Sequence, residues 1–441
     1  MKKLRLLMTA LVAAAGVGLT SQSASAQLKF TYTSSIQVQN LTGSLATIAI
    51  TYYNDTGVAG TFNDTVPASG SKAYFPLQGI AAGFSGSAIV SSDQPVASVV
   101  NVVGNTDKVY ASYIGFSAGS TTSALPLLMK GNFGYDTWFQ VQNAGSALAN
   151  VTVNYSDGTT GTAKIQPGSS ARFVQSTETH SLTVFGATVT SDQPIVVAAI
   201  EENANTMFAY NGFTSGTTNP SMPLINANNF SYVTGVTMQN SGTQATDVTV
   251  SYTPSAAGTA CTEKQTLAAG QSSTFALGIF GTGPIPAGTV TNCAINSTFV
   301  GSAKVTVNTT SQPLSAIVNQ LLPGKNGEAY GGFDATKATD TVVAPLIMDR
   351  NSGFFTGMNI VNVGTAATTV NCTFTDATYT INKTLQPDQA FTDVQANKIK
   401  DGYVGGATCT ASAGGKIVGV INQLGPSGSA DQLLVYEGIN K

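Results

Sequence analysis

One histidine, one tryptophan and four cysteines occur in 441 residues, and charged side chains make up only 9% of the chain. Each scarcity excludes something. A single histidine argues against His-rich metal centres, and its catalytic use would need an orienting acid and a nucleophile that the sequence does not place beside it. His180, in Ser176-Thr177-Glu178-Thr179-His180, reads as a solvated loop residue. An ordinary soluble protein has about 25% charged residues. Here a formal net charge of −3 leaves no field to draw nucleic acid or anionic lipid. Weak charge also gives little repulsion between molecules, which suits packing beside copies of itself or a wall polymer. Beyond the N-terminal region no stretch is long and apolar enough to span a membrane, and no segment shows useful helical periodicity.

The N-terminal region reads as a secretory signal. Lys2, Lys3 and Arg5 form a positive start, residues 6–19 are apolar, and Ala24-Ser25-Ala26 is a small-residue cleavage site before Gln27. The apolar run is shorter than the roughly 20 residues a transmembrane helix needs. The expected product is a secreted, extracellular protein with no transmembrane segment after cleavage.

What the chain has in abundance is repetition. Ile36-Gln37-Val38-Gln39-Asn40 returns as Phe139-Gln140-Val141-Gln142-Asn143, as Val236-Thr237-Met238-Gln239-Asn240, and more loosely as Met358-Asn359-Ile360-Val361-Asn362. A period of roughly 100 residues marks an array of small domains, since solenoid units are shorter. The boundaries are 1–26 for the signal peptide and 27–118, 119–217, 218–337 and 338–441 for the repeats. Such an array points to a mechanical or adhesive task more than to chemistry.

Three further phrases recur. Ile48-Ala49-Ile50-Thr51-Tyr52, Val151-Thr152-Val153-Asn154-Tyr155, Val248-Thr249-Val250-Ser251-Tyr252 and Val370-Asn371-Cys372-Thr373-Phe374 alternate as half-buried strands do. Asp93-Gln94-Pro95, Asp192-Gln193-Pro194 and Ser311-Gln312-Pro313 form turns at strand entrances, each followed by a nearly continuous apolar run. Tyr113-Ile114-Gly115-Phe116, Tyr210-Asn211-Gly212-Phe213, Tyr330-Gly331-Gly332-Phe333 and Tyr436-Glu437-Gly438-Ile439 close the units. Short Gly/Ser/Thr linkers follow the first three, leading to Pro126-Leu127, Pro223-Leu224 and Pro345-Leu346. Their length predicts neighbours set end to end. The insertion at residues 278–290 of the third repeat reads as an extended hairpin or loop. Many short strands with frequent Gly and Pro turns give an all-β fold, four tandem antiparallel β-sandwich domains in an extended array.

The Val-Thr-Val-x-Tyr strand, the Gln-Pro turn and the Tyr-x-Gly-Phe phrase together resemble the immunoglobulin-like repeats of bacterial secreted and cell-surface proteins. The resemblance covers the chain beyond the signal. It implies an immunoglobulin-like sandwich for each repeat, and roles as spacers, surface-layer material or adhesin stalks.

Few residues invite chemistry. Cys261, Cys293, Cys372 and Cys409 lie in the last two repeats. In a secreted chain they read as disulfides, and of three possible pairings Cys261–Cys293 and Cys372–Cys409 stay within one domain. Cys372 and Cys409 align with core positions, predicting a bridge across the sandwich. Glu201-Glu202 are adjacent on a strand, so they point to opposite faces and do not converge on a bond. Tyr52, Tyr155, Tyr252 and Phe374, with Tyr113, Tyr210, Tyr330 and Tyr436, are expected core residues rather than a sugar-binding platform. Trp138 is expected at an interface or partly exposed. No cofactor is implied; structural calcium could sit in acidic loops such as Asn54-Asp55 with Asp64, or at interdomain junctions. The first repeat lacks the Pro-Leu strand start, leaving an edge that could accept a strand from another molecule.

The sequence thus predicts a secreted, non-enzymatic structural protein of the bacterial surface: a surface-layer, sheath, filament or adhesin-stalk component. Its partners would be copies of itself or a wall or surface polymer. The alternative is an extracellular carbohydrate- or protein-binding array.

Overall fold

A computed structural model describes residues 6–12, 28–104, 108–281, 283–323, 325–375, 377–426, 431 and 433–441. The expected cleavage site, Ala24-Ser25-Ala26, lies outside the described residues. The protein is all-β, with antiparallel sheets throughout. It divides into two compact units, Met1–Thr214 and Ser215–Lys441. No described helix is long and apolar enough to cross a membrane.

The fourth repeat shows the plan. One sheet orders Thr380–Leu385, Thr368–Phe374, Tyr403–Ala411, Thr341–Asp349 and Ile439–Asn440; another orders Ala390–Val394, Phe355–Asn362, Ile417–Leu424 and Leu433–Glu437. The strand that begins a repeat, here Thr341–Asp349, is termed the opening strand. It pairs with Tyr403–Ala411. Strand Ala149–Tyr155 shows why these segments are strands. Ala149, Val151, Val153 and Tyr155 are buried, while Asn150 and Asn154 face solvent. Each large apolar side chain so buried contributes about 1.5–3 kcal/mol, and the period of two fixes which face does it.

In the second repeat the Gln-Pro phrase does not end a strand. Asp192-Gln193-Pro194 lies inside one strand, Val184–Glu202. Its first part pairs with Ser120–Met129 and Ala149–Tyr155, and its second with Asp136–Asn143 and Met207–Asn211. Two sheets that are separate in the other repeats are thereby joined.

Two expectations about local structure are corrected. Of the two readings of the third repeat's insertion, the loop holds for residues 283–289 and the extended hairpin does not, while its start forms a helical turn, Leu277–Phe280. Phe280 stacks on Phe299 at 5.1 Å and meets Tyr252 edge-on at 5.1 Å, so the turn plugs the core. The repeats within one unit are not set end to end. Val109–Ile114 packs against Met207–Asn211 in the first unit, and Asn326–Gly331 against Leu433–Glu437 in the second. Val420 and Val435 of the fourth repeat join the core cluster around Tyr252, Phe275 and Phe299 of the third. These last strands are buried on both faces. A sheet strand without a polar face needs cover on its second side, and the neighbouring repeat supplies it.

Candidate functional site

The Gln-Asn phrase ends on an asparagine that knots each repeat. Asn143 Nδ2 donates to the carbonyls of Ala147 (2.7 Å) and Ile165 (2.8 Å), while its Oδ1 accepts from Gly145 N (2.8 Å). Asn240 does the same with Gln244 and Leu267 carbonyls and Gly242 N. Asn362 uses Ala366, Leu385 and Gly364, and Asn40 uses Ser44, Val66 and Thr42. The side chain offers both donors and acceptors, which satisfy backbone groups at a buried corner where no ladder can reach them. Sequence reasoning found the phrase but missed this role.

The closing tyrosine latches the opening strand. Register skips Pro126-Leu127, Pro223-Leu224 and Pro345-Leu346, so each Pro-Leu pair forms a bulge. Proline carries no N–H to lose there. The Leu127 carbonyl accepts from Tyr210 Oη at 2.5 Å. Tyr436 Oη donates to the Leu346 carbonyl at 2.6 Å and accepts from Leu346 N at 3.1 Å. Tyr330 bonds Leu224 in the same two ways. Burial pushes all three phenols well above their ordinary range. After the tyrosine the chain crosses closely under its neighbour. A β-carbon at Gly212 would lie 2.3 Å from Ser123 Oγ, and one at Gly438 would lie 2.5 Å from Val342 Cγ1. Gly212 N and Gly438 N donate to the Val197 and Gly419 carbonyls, each at 2.7 Å. Tyr113 is buried at the matching place in the first repeat. Tyr52, Tyr155, Tyr252 and Phe374 are buried as well.

Each unit has a polar seam between its repeats, and the two seams are alike. In the first unit, Ser87 of Gly86-Ser87-Ala88 donates to the Gly168 carbonyl of Gln166-Pro167-Gly168 at 2.7 Å. In the second, Ser302 of Gly301-Ser302-Ala303 donates to the Asp388 carbonyl of Gln386-Pro387-Asp388 at 2.7 Å. The residue after the latch tyrosine also crosses in both. Asn211 Nδ2 donates to the Ile114 carbonyl at 2.9 Å, and Glu437 Oε1 accepts from Gly331 N at 2.6 Å. The first seam also holds Glu202, whose carboxylate accepts from Tyr32 Oη, from Trp138 Nε1 at 3.1 Å and from Lys29 N at 3.1 Å. Burial raises the Glu202 pKa against the pull of those hydrogen bonds. Arg172 caps the Trp138 ring at 4.9 Å. The second seam adds the Lys304–Asp388 ion pair and the buried Asp431, which accepts from Gly327 N at 3.0 Å. Beside it Glu328 is buried, and burial first, then the Asp431 charge, raise its pKa to about 8.

Other singled-out residues fall as follows. Trp138 is buried in the seam with Glu202; Glu201 is buried too, on the opposite face of the strand. His180 is not a solvated loop residue. Its side chain is buried, stacked on Phe185 at 4.2 Å, with Nδ1 3.0 Å from Asp157 Oδ2. Burial opposes ionisation of Asp157, but bonds from Thr159, Ser181 and His180 hold it at about 2. Cys372 is bonded to Cys409 and Cys261 to Cys293. The first of these links direct partners on adjacent strands of one sheet, so it does not bridge from one sheet to another as expected. Asp64 faces Lys72 and Tyr74 on a strand. Among the described residues no group of three or more His, Cys, Asp or Glu gathers as a metal site. An open cleft of about 540 Å³ is lined by Tyr155, Thr162, Arg172, Phe173 and Glu178.

Phenylalanines stand out at two loop tips. Phe133 is 91% exposed and Phe230 is 87% exposed. They occupy equivalent places after the opening strand, both at φ 49°, where the fourth repeat has Ser352 at φ 51°. A bulky side chain held in the left-handed region and in water has no folding benefit to explain it.

No family model and no curated protein matches the chain. Among solved structures, it is similar to a tetra-tandem repeat in the extending region of a large adhesion protein, at 12% identity over 99% of each chain and a TM-score of 0.12. At that score the likeness carries no argument.

Proposed function

We propose that this chain is a secreted structural protein of the bacterial cell surface, acting as a stalk or layer component without chemistry of its own. Its repeats are read as four immunoglobulin-like sandwiches, and its working block is the pair rather than the single repeat. One observation carries the reading: the same Ser-to-carbonyl seam, with the same crossing after the latch tyrosine, joins the repeats in both units. A block built twice to one pattern serves length and contact. The exposed Phe133 and Phe230 supply apolar contact points on surfaces of low charge density.

Immunogold labelling of the producing cells, with light scattering and negative-stain microscopy of the purified protein across concentration and calcium, tests this. Surface label with sheets, filaments or elongated particles is expected. Label confined to the cytoplasm overturns it.

A further inference from the structure

We propose that the first repeat, once residues 1–26 are removed, takes its opening strand from another polypeptide: an uncharged aliphatic segment carrying a Pro-Leu bulge. In the structure Leu6–Val12 pairs antiparallel with Gly86–Ser92, from Leu6 opposite Ser92 to Val12 opposite Gly86. It also packs on Val96–Gly104 of the other sheet. That is the place of the opening strand, filled in the other repeats by Ser120–Met129, Pro220–Ala227 and Thr341–Asp349. Those three belong to their own repeats. Only residues 130–135, 228–232 and 350–354 separate them from the next strand, whereas residues 13–31 follow Val12. Leu6–Val12 lies inside the expected signal, so cutting after Ala26 takes it away. This rests on the secreted reading above.

The edge so bared is built to be covered. Gly86–Ser92 reads Gly-Ser-Ala-Ile-Val-Ser-Ser, with no charge and no proline. Natural edge strands are guarded by charge, proline or a bulge. The outer strands of the matching sheets carry such guards, Asp64 in Gly57–Val66, Lys164 in Thr160–Ile165 and Lys383 in Thr380–Leu385. Ala88 and Val90 are fully buried beneath the edge. Tyr113 stands at the place where Tyr210, Tyr330 and Tyr436 bind the leucine of a Pro-Leu bulge, and that place matches a strand of the type the other repeats make. Backbone pairing along such an edge supplies affinity, and the bulge supplies selection.

The test uses the secreted protein, whose N-terminus is read first by mass spectrometry, and a synthetic, end-capped peptide of residues 120–129 as the probe. Saturable binding is expected, with slowed amide exchange across residues 86–92 and a higher melting temperature of the first unit. Tyr113→Phe should weaken binding about tenfold, the worth of one hydrogen bond, and the peptide bearing Leu128→Asp should not bind. If the first unit is unfolded when secreted, peptide-driven folding supports the proposal and its absence overturns it. A secreted chain that keeps residues 6–12 overturns it. So does a monomer whose residues 86–92 are already protected, or a dimer in which a second copy protects them. None of these bears on surface location, which immunogold reads separately.

Discussion

Replacing Glu202 with alanine should loosen the first unit at its seam. The carboxylate accepts from Trp138 Nε1 and Lys29 N, each at 3.1 Å, and from Tyr32 Oη. A buried donor left without its partner costs about 1–3 kcal/mol. Trp138 and Tyr32 are buried, whereas Lys29 is exposed and its N–H can turn to water. Trp138 Nε1 keeps Tyr32 Oη as an acceptor at 3.3 Å, so one stranded donor gives about 1–3 kcal/mol, and relief from burying a carboxylate returns part of it, leaving roughly 1–2 kcal/mol. With a urea slope of about 2 kcal/mol/M, the unfolding midpoint should fall by about 0.5–1 M. The only tryptophan of the chain is Trp138, so its emission reports this transition directly. Glu202→Gln keeps one acceptor oxygen and should lose roughly half as much. A midpoint shift under about 0.3 M for the alanine variant, on that same slope, would refute the seam as a source of stability.

Four further outcomes follow from the structure. Reduction should destabilise only the second unit: the bridges close loops of 32 and 37 residues, each worth about 3–4 kcal/mol in the chain-entropy model, and the Trp138 transition should not move. The second unit should also weaken with rising pH. Glu328 has a folded pKa raised to about 8, so its stabilising protonated form is complete below the unfolded value near 4.5 and is lost as pH climbs through about 8; Glu328→Gln should flatten that slope in urea titrations across this range. Tyr436→Phe should cost about 2–4 kcal/mol, since it strands both the N–H and the carbonyl of Leu346, and chemical denaturation of the second unit would show it. Changing Phe133 and Phe230 together to serine should leave stability within about 0.5 kcal/mol while lowering retention on a hydrophobic column; an unchanged retention time would deny them a contact role.

The strands were legible because burial repeats with period two. Val151, Val153 and Tyr155 alternate with polar neighbours, and that pattern is local. The recurring tyrosines were legible for the same reason. What each phrase does was not. Tyr436 meets Leu346 from 90 residues away, and Glu202 meets Tyr32 from 170. Neither distance leaves a mark in any short window. His180 was misread because its surroundings are polar in sequence, while in space Phe185 and Asp157 enclose it. The side-by-side pairing of repeats escaped too. Short linkers limit distance and say little about direction, and the signal for a second neighbour was the two-sided burial of strands such as Leu433–Glu437.

The opening strand also sets a timetable. It is the first part of each repeat to be synthesised, yet Thr341–Asp349 must await Tyr403–Ala411, and Pro220–Ala227 must await Phe299–Asn308. Pairings so distant along the chain close slowly, because the loop entropy is spent before the contacts form. A repeat therefore stays open until nearly its whole length has emerged. Under the secreted reading proposed above, that delay would keep the chain threadable during export, and the latch tyrosine, late in each repeat, would be the last part to close it.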